Sequence, residues 1–579
     1  MPLPALGLLA ALALTSLTTS AAAAHAGLET LVQDDAQLLH RSPAQVGQAM
    51  AQLRALGVDR VRLTASWQQL TRNPDSPRRP SFDASDPAAY EQNRWRELDV
   101  AVTSARAAGL KVLIDVGFWA PRWAGRGPGP RVRTAIDVRQ YADFGVLTIA
   151  RRYSGHFSVP VPAAPPPAPP MPGPPSSGGP AAGGGGPLSG LGGVGPLSGS
   201  PWAASRSQAR AWTSVAAAQM TSAAPSRATG PLPSVDMLVL WNEPNHPAFL
   251  EPQWTGDRAH RRPVSTDQYR SMVLAAYPAI KRQRPDVTVL IGNTSSRGGF
   301  GGHDPVPPLR FLRALACVDD HLRPLQQGSC AHFHRLPGDG WAHHPYTLTG
   351  TPAQTSSGRR SDDIFLADLP RLAHTLDRLV AMGRLAPAMR SIYITEYGYE
   401  TTPLAGRRNV SEATQARYLT WGEYLASRVP NVRTFAQFLL RDQPPAATVQ
   451  SDSLRRPFGQ FYTGLEHADG RPKLAARSFV AGLFVARHQA SSVLLFGRLR
   501  LAGPSRTVEI QIREPHQSWM TLSTERRPGV GGASSFVIGG HDNFTRYGPY
   551  RPGAVYRLAI LNARRWYPSL SVPVVSTGR

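Results

Sequence analysis

The chain has 579 residues, 41% of them hydrophobic, which is too long for one compact domain of ordinary size and suits a large barrel with an accessory module. Its formal net charge is +24, almost entirely from arginine, because lysine occurs only at Lys111, Lys281 and Lys473. The arginines are spread along the chain and are not clustered among aromatic residues, which argues against nucleic acid as a partner. An arginine-biased composition explains this charge, and attraction to an anionic cell surface is the functional alternative.

The first 26 residues have the pattern of a secretory signal peptide. A mostly apolar run over 5–17 precedes small residues and two A-x-A-like sites, which end at Ala24 and Ala26. We therefore predict a secreted, extracellular protein that is cleaved after Ala24 or Ala26. The segment begins without Lys or Arg, and an uncleaved N-terminal anchor is the alternative.

The chain has two cysteines, Cys317 and Cys330. Disulfides persist outside the cytoplasm, so two cysteines close together in an exported chain predict one disulfide-bonded loop. Two separate thiols are the alternative. Without a spaced pair of histidines the two cysteines give no zinc signature.

Units of a helix followed by a strand repeat over 27–487. Helical apolar spacing over 44–56, for example, is followed by Gly57 and a strand over 58–63. The strands are expected at 30–34, 58–63, 111–117, 235–241, 287–292, 341–344, 391–395 and 432–438, and helices at 95–108, 266–283, 365–382 and 412–429 among others. Such alternation implies parallel pairing, and eight closed units form a (β/α)8 TIM barrel with its active site at the carboxyl ends of the strands.

Two segments depart from this rhythm. Residues 159–200 are so rich in Pro and Gly that they cannot bury a core, and we predict a disordered insertion that interrupts the barrel after its third strand. An Ala-rich helix is expected over 201–220. From 488 to 579, short strand-like runs between turn residues predict an antiparallel β-sandwich, which either supports the barrel or contacts glycan.

Two predicted strands end in a carboxylate. The run 238–245 reads LVLWNEPN and delivers Glu243 at the end of strand four, and 390–400 reads RSIYITEYGYE and delivers Glu396 at the end of strand seven. Glu400 lies past the strand and is a weaker candidate. Two carboxylates across one pocket suit glycoside hydrolysis, in which one gives a proton to the leaving oxygen and the other attacks the anomeric carbon.

These motifs resemble those of the clan A glycoside hydrolases, which are retaining enzymes with Asn-Glu after strand four and Glu after strand seven of a (β/α)8 barrel. The barrel with a following β-domain is most similar to families 39 and 5, and the motifs do not choose between them. The resemblance implies a bacterial secreted O-glycosidase in which Glu243 is the acid/base and Glu396 the nucleophile. Its substrate is a glycoside or an oligo- or polysaccharide, and the mechanism needs no metal or organic cofactor.

The same resemblance implies roles for residues around the pair. Arg62 on strand two is expected to hydrogen-bond Glu396, and Asn242 to bind the sugar 2-hydroxyl. His344 and Tyr346, which follow strand six, are expected to line the site, with Tyr346 bonding the nucleophile. The acid role further predicts a raised pKa for Glu243, aided by the negative charge of Glu396.

Other residues near strand ends have weaker signals. Trp119 is expected to stack on sugar rings together with Trp123, and packing beneath a loop is the alternative. His343 alternates with its neighbour and is expected to point away from the site. Asp34 and Asp35 follow strand one, where they either contact a sugar hydroxyl or cap a helix.

The chain departs from the resemblance at strand eight. Many clan A members have a Trp there that forms the floor of the sugar subsite, whereas this chain has Gln437 and Phe438. The substrate is therefore not transferable by analogy. Two alternatives to hydrolysis stay open: transglycosylation by the same residues, and a non-catalytic protein that binds carbohydrate in the same cleft.

Overall fold

The computed structural model describes ten stretches of the chain, namely residues 28–127, 131–160, 230–257, 260–299, 301–401, 409–444, 461–501, 505–539, 541–562 and 564–576. The predicted signal peptide, all but the first two residues of the predicted insertion, and the helix expected over 201–220 lie outside these residues. Within the described stretches, no helix has both the length and the apolar character needed to cross a membrane.

Eight parallel strands close into a barrel, as the sequence predicts. They are β1 (Glu29–Gln33), β2 (Arg60–Ser66), β3 (Lys111–Gly117), β4 (Met237–Leu240), β5 (Thr288–Ser295), β6 (Gly340–His344), β7 (Ile392–Ile394) and β8 (Val432–Phe438). Around the ring the order is β1, β8, β7, β6, β5, β4, β3, β2. Every neighbouring pair is parallel, so all eight carboxyl ends open on one rim.

One helix follows each strand. They are α1 (Pro43–Ala55), α2 (Gln92–Ala107), the composite helix α3, α4 (Ser265–Gln283), α5 (Pro308–Leu315), α6 (Leu369–Ala381), α7 (Glu412–Ser427) and α8 (Leu474–Val480). Helix α3 joins Val138–Gln140, a stretch Tyr141–Thr148 with π-type hydrogen bonds, and Ile149–Arg152. Short helical turns also lie at Asp35–Leu38 and Trp67–Leu70.

Local sequence signals explain where the first of these helices begins and ends. Ser42 and Gln45 form a capping box, with Pro43 in the first turn. Gly57 lies just beyond α1 and ends the helix, since its φ of 76° is a left-handed conformation that favours glycine.

The predicted disulfide is present between Cys317 and Cys330. The two Cα atoms are 5.5 Å apart, and the bond closes a loop between α5 and β6. The two cysteines are 13 residues apart in the sequence.

The C-terminal domain is an antiparallel β-sandwich. Its strands are β9 (Ala481–Gln489), β10 (Ser492–Leu499), β11 (Arg506–Arg513), β12 (Met520–Leu522), β13 (Thr524–Arg527), β14 (Val530–Ala533), β15 (Ser535–Ile538), β16 (Asn543–Pro549), β17 (Val555–Asn562), β18 (Arg565–Pro568) and β19 (Val572–Pro573). One sheet has the order β9, β10, β16, β13, β14, and the other contains β12, β11, β17 and β18, with β15 on β11 and β19 on β17. The predicted boundary between 487 and 488 falls inside β9, which begins at Ala481 with six consecutive buried residues.

Buried charges join the β-domain to the barrel. Arg500 donates to the Glu423 carboxylate of α7 at 2.7 Å and to the Thr30 hydroxyl of β1 at 3.0 Å. Arg498 lies 3.4 Å from the same carboxylate, and each of these three charged side chains is at least 96% buried. The Trp421 ring of α7 also stacks on Phe484 of β9, with centroids 5.4 Å apart.

Candidate active site

The chain turns sharply where β4 reaches the rim. Trp241 and Glu243 have φ values of 66° and 38°, in a left-handed region that residues other than glycine seldom adopt. The Glu243 amide donates to the Asn293 carbonyl of β5 at 3.0 Å, which holds the turn against the neighbouring strand. Such local strain persists only where the surroundings enforce it, and it is common at functional sites.

The Glu243 and Glu396 carboxylates face each other across the rim. Glu396 stands two residues beyond β7, and one oxygen of each carboxylate lies within 4.8 Å of the other and of a ring nitrogen of His344. The Glu243 side chain is 16% exposed and the Glu396 side chain 12% exposed. Both are therefore mostly enclosed but open to a ligand from the rim.

Two donors hold the Glu396 carboxylate. The Arg62 guanidinium donates to Oε1, and the Tyr346 hydroxyl donates to Oε2 at 3.1 Å. Burial lowers the pKa of Arg62, but the charges of Asp115 and Glu396 outweigh it and hold that pKa above its ordinary value. Burial and the charge of Glu396 raise the pKa of Tyr346 well above its ordinary value, so its hydroxyl stays a neutral donor.

Glu243 has a different partner. Its Oε1 lies 2.8 Å from His344 Nδ1, while the same nitrogen lies 3.6 Å from Glu396 Oε2. Burial alone raises the pKa of Glu243, but the hydrogen bond and charge of His344 outweigh it, so the pKa lies below the ordinary value. The predicted raised pKa of Glu243 is therefore wrong, because the prediction considered the charge of Glu396 but not that of His344.

Beneath the carboxylates lies a buried polar network. Arg62 Nη2 donates to Asp115 at 2.6 Å and to Asn242 Oδ1 at 2.8 Å. Asn293 Nδ2 lies 3.2 Å from the same Asn242 oxygen, and Asn293 Oδ1 lies 3.0 Å from His344 Nε2. Burial raises the pKa of Asp115 to about 6, despite the adjacent guanidinium.

Glu243, His344 and Glu396 have donor atoms within 4.8 Å of one another, a spacing that a metal ion can bridge. The permanent charge of the Arg62 guanidinium on Glu396 opposes a further cation at this position. We therefore assign no metal site among these three side chains.

Comparison with known proteins gives a fold likeness without a family. No protein-family model matches the chain, and no curated protein sequence matches it. Similar solved structures include a monomeric beta-xylosidase from Caulobacter crescentus CB15, with 14% identity, a TM-score of 0.40, and coverage of 92% of this chain and 95% of the other. A glycoside hydrolase of family 5, subfamily 18, from Bifidobacterium longum subsp. infantis has 14% identity, a TM-score of 0.38, and coverage of 78% and 76%.

A third similar structure is the endo-beta-1,4-mannanase from Thermotoga petrophila, with 11% identity, a TM-score of 0.31, and coverage of 95% of this chain and 98% of the other. These structural neighbours are glycoside hydrolases. At such identities and TM-scores the likeness carries no argument about activity or substrate, which must come from the site itself.

The structure brings most of the predicted site residues together. The residues that meet at the rim are Arg62, Asn242, Glu243, His344, Tyr346 and Glu396. Trp119 lies in the loop after β3, where its ring nitrogen donates to the Ala248 carbonyl at 2.9 Å and its ring stacks on Phe249. The Arg131 guanidinium lies 4.9 Å from the same ring. These are packing contacts, and stacking of Trp119 on a sugar ring stays a prediction.

The weaker signals have structural explanations. His343 points away from the carboxylates, toward the Thr294 hydroxyl and the Ile364 carbonyl, and burial lowers its pKa to about 4. Trp123 packs edge-on against Trp67, and its ring nitrogen donates to the backbone carbonyl of Arg72. Asp34 caps the turn that follows β1, since its carboxylate accepts the Gln37 amide at 3.2 Å.

Sequence reasoning missed two residues of the site, Asn293 and Asp115. Asn293 follows the apolar run of β5 as Asn242 follows that of β4. A search of every strand end for polar residues would have found it. Asp115 lies inside β3, where a charged residue in an apolar run indicates a buried partner. At strand eight, Phe438 packs edge-on to Tyr346 at 6.4 Å, which places an aromatic ring next to the site without a Trp.

Proposed function

We propose that this protein is a secreted retaining glycoside hydrolase of the clan A type, which cleaves O-glycosidic bonds by double displacement. The observation that carries the proposal is the pair Glu243 and Glu396, whose carboxylate oxygens approach within 4.8 Å from β4 and β7. Retaining enzymes have carboxyl groups about 5 to 5.5 Å apart, and inverting enzymes have them about 6.5 to 9.5 Å apart. An approach within 4.8 Å lies on the retaining side of this comparison and supports direct attack by one carboxylate.

The unequal partners divide the roles. Glu396 receives the Arg62 guanidinium and the Tyr346 hydroxyl, which suit an ionised nucleophile that attacks the anomeric carbon. Glu243 instead contacts His344, a group that can exchange a proton with it. It therefore acts as the acid that protonates the leaving oxygen and, in the second step, as the base that deprotonates water.

The substrate class follows from this chemistry. The pair acts on the acetal carbon of a glycoside, oligosaccharide or polysaccharide, and the reaction requires only the two carboxyl groups and water. The apolar N-terminal run and the disulfide between Cys317 and Cys330 support export to a compartment where such glycans and disulfides occur. Families 5 and 39 are the groups within clan A that the proposal favours.

The test is turnover by the purified protein on a panel of aryl glycosides, with Glu396→Ala as the decisive variant. We expect Glu396→Ala to abolish hydrolysis and to regain activity with azide, which gives a glycosyl azide of inverted configuration. The control is Glu400→Ala, which removes a carboxylate of the following loop. A retained azide product, or no rescue, contradicts the nucleophile role, and glycan binding without turnover by the native protein supports a carbohydrate-binding protein instead.

A further inference from the structure

A chain of hydrogen bonds runs from Arg62 through Asn242, Asn293 and His344 to Glu243, and it has a direction. We infer that Asn293 is a positioning residue that fixes a proton on Nε2 of His344 and thereby keeps one further proton within the His344–Glu243 pair. The use of that proton as the catalytic proton rests on the proposed function, whereas its location does not.

The direction is set at Arg62, which has only donors and keeps its charge. Because its Nη2 lies 2.8 Å from Asn242, the Asn242 atom in that contact is the oxygen. The Asn293 amide faces this oxygen at 3.2 Å and the Trp241 carbonyl at 3.1 Å. Both neighbours are acceptors, so Asn293 presents its NH2 group to them, and the flipped amide would set its oxygen against two oxygens.

The Asn293 oxygen therefore points the other way, where it accepts the Thr395 hydroxyl at 2.8 Å and meets His344 Nε2 at 3.0 Å. An amide oxygen cannot donate, so Nε2 carries a hydrogen. The second ring nitrogen, Nδ1, then lies 2.8 Å from Glu243 Oε1. A neutral ring beside an ionised Glu243 would place two lone pairs in contact, so this position holds a proton.

Two forms of the pair satisfy the geometry, and each contains that proton. In one, the His344 imidazolium donates from Nδ1 to the Glu243 carboxylate; in the other, the protonated Glu243 donates to the neutral ring. Transfer across the 2.8 Å contact converts the first into the second. The acid form then gives its proton to the leaving oxygen, which leaves neutral His344 and ionised Glu243 ready to accept a proton from water.

This arrangement reconciles a lowered pKa with an acid role, because the proton that Glu243 lacks is held by the adjacent ring. Titratable and charged groups from several elements face the pair: Glu396, Arg62, Asp115, His246, His343 and Tyr346. Within the described residues, the hydrogen-bond partner of His344 Nε2 is Asn293 and none of these charged or titratable groups.

The direct test is ¹⁵N NMR of the full chain with labelled histidine, in which the signals of His344 are identified as those lost in His344→Gln. We expect a protonated Nε2 at every pH at which the protein stays folded. In Asn293→Leu, which lacks the acceptor, we expect a substantial population with the hydrogen on Nδ1 and none on Nε2. Asn293→Asp keeps an oxygen acceptor opposite Nε2, so the hydrogen should stay on Nε2, whereas its second oxygen loses the donor contacts with Asn242 and Trp241.

A native spectrum with a bare Nε2 and a hydrogen on Nδ1 would overturn the inference, whatever the activity of the protein. The expected spectrum from a protein that hydrolyses no glycoside would instead leave the inference standing and remove the proposed function. If Asn293→Leu does not fold, Asn293→Ser serves as the smaller variant in the same measurement.

A kinetic comparison separates positioning from a merely structural role. We expect Asn293→Leu to lower kcat/KM about 10 to 100-fold on alkyl glycosides, whose leaving groups need a proton, and less than about threefold on dinitrophenyl glycosides. Asn293→Asp, which keeps the acceptor toward Nε2 but loses the donor toward Asn242, should recover part of the loss on the alkyl substrates. Equal losses on both substrate classes, without recovery in the Asp variant, contradict a role through the proton of the pair.

Discussion

Replacing Glu243 by Gln removes the proposed proton donor with little change in shape. The amide keeps the size of the carboxyl group, whose contact with His344 is 2.8 Å in the native protein, and the Arg62 and Tyr346 bonds to Glu396 do not involve the substituted group. General acid catalysis contributes about 10² to 10⁴-fold, so kcat/KM on alkyl glycosides should fall by that factor, or about 3 to 5 kcal/mol of barrier. On dinitrophenyl glycosides the loss should stay below about tenfold, because that phenolate leaves without a proton.

The same variant tests the second proposed role of Glu243, that of the base. Without a base, hydrolysis of the glycosyl-enzyme becomes slow, so dinitrophenyl substrates should give a burst of one phenolate per protein followed by a slow steady state. Azide needs no base and should speed the steady state, giving a glycosyl azide of retained configuration.

The assay is stopped-flow release of the phenolate with product analysis by NMR. Glu400→Gln is the matched control, since it makes the same change in the loop after β7, and it should stay within about threefold of the native protein. Equal losses on alkyl and dinitrophenyl substrates, or slow turnover without a burst, would refute the assignment of Glu243 as acid and base.

Three further predictions concern stability. Glu423→Gln should lower the free energy of unfolding in urea by about 3 to 5 kcal/mol, because it leaves the buried Arg498 and Arg500 without their carboxylate. The control Glu97→Gln, at the exposed pair with His40, should change it by under about 1 kcal/mol. Replacing both Cys317 and Cys330 by Ser should lower the free energy of unfolding by about 2 to 3 kcal/mol, and a melting temperature that does not change would contradict it. Burial raises the pKa of Asp34 to about 7, above its unfolded value, so its contribution to stability is present below pH 4 and lost as the pH rises to 7. Asp34→Asn should make that fall shallower by up to about 1.4 kcal/mol per pH unit, measured by urea unfolding across this range.

The sequence was sufficient for the barrel because its strands contain short apolar segments, such as LVL in β4 and VLIG in β5, that alternate with helical patterns. The same regularity placed Glu243 and Glu396 on one rim, since parallel strands share their carboxyl ends. Element ends were less predictable: β5 continues to Ser295, whereas its apolar pattern stops near Gly292, because pairing with β6 extends it.

What the sequence could not supply was which side chains meet. The pKa of Glu243 depends on a ring nitrogen delivered 101 residues later, and the orientation of that ring depends on Asn293. The β-domain also contains strands that the sequence pattern did not indicate, because β14 and β18 are short and partly exposed and are defined by pairing with the preceding strands, β13 and β17.

The docking of the β-domain bears on how the chain can be divided. Arg500 enters the base of the barrel so closely that a side chain at Gly57 would collide with its Cβ at 2.6 Å. A truncation after α8 would therefore leave Glu423 as an unneutralised charge in an apolar wall and strip the cover from Trp421. The barrel therefore depends on the C-terminal domain, and chimaeras that exchange this domain must transfer α7 together with Arg498 and Arg500.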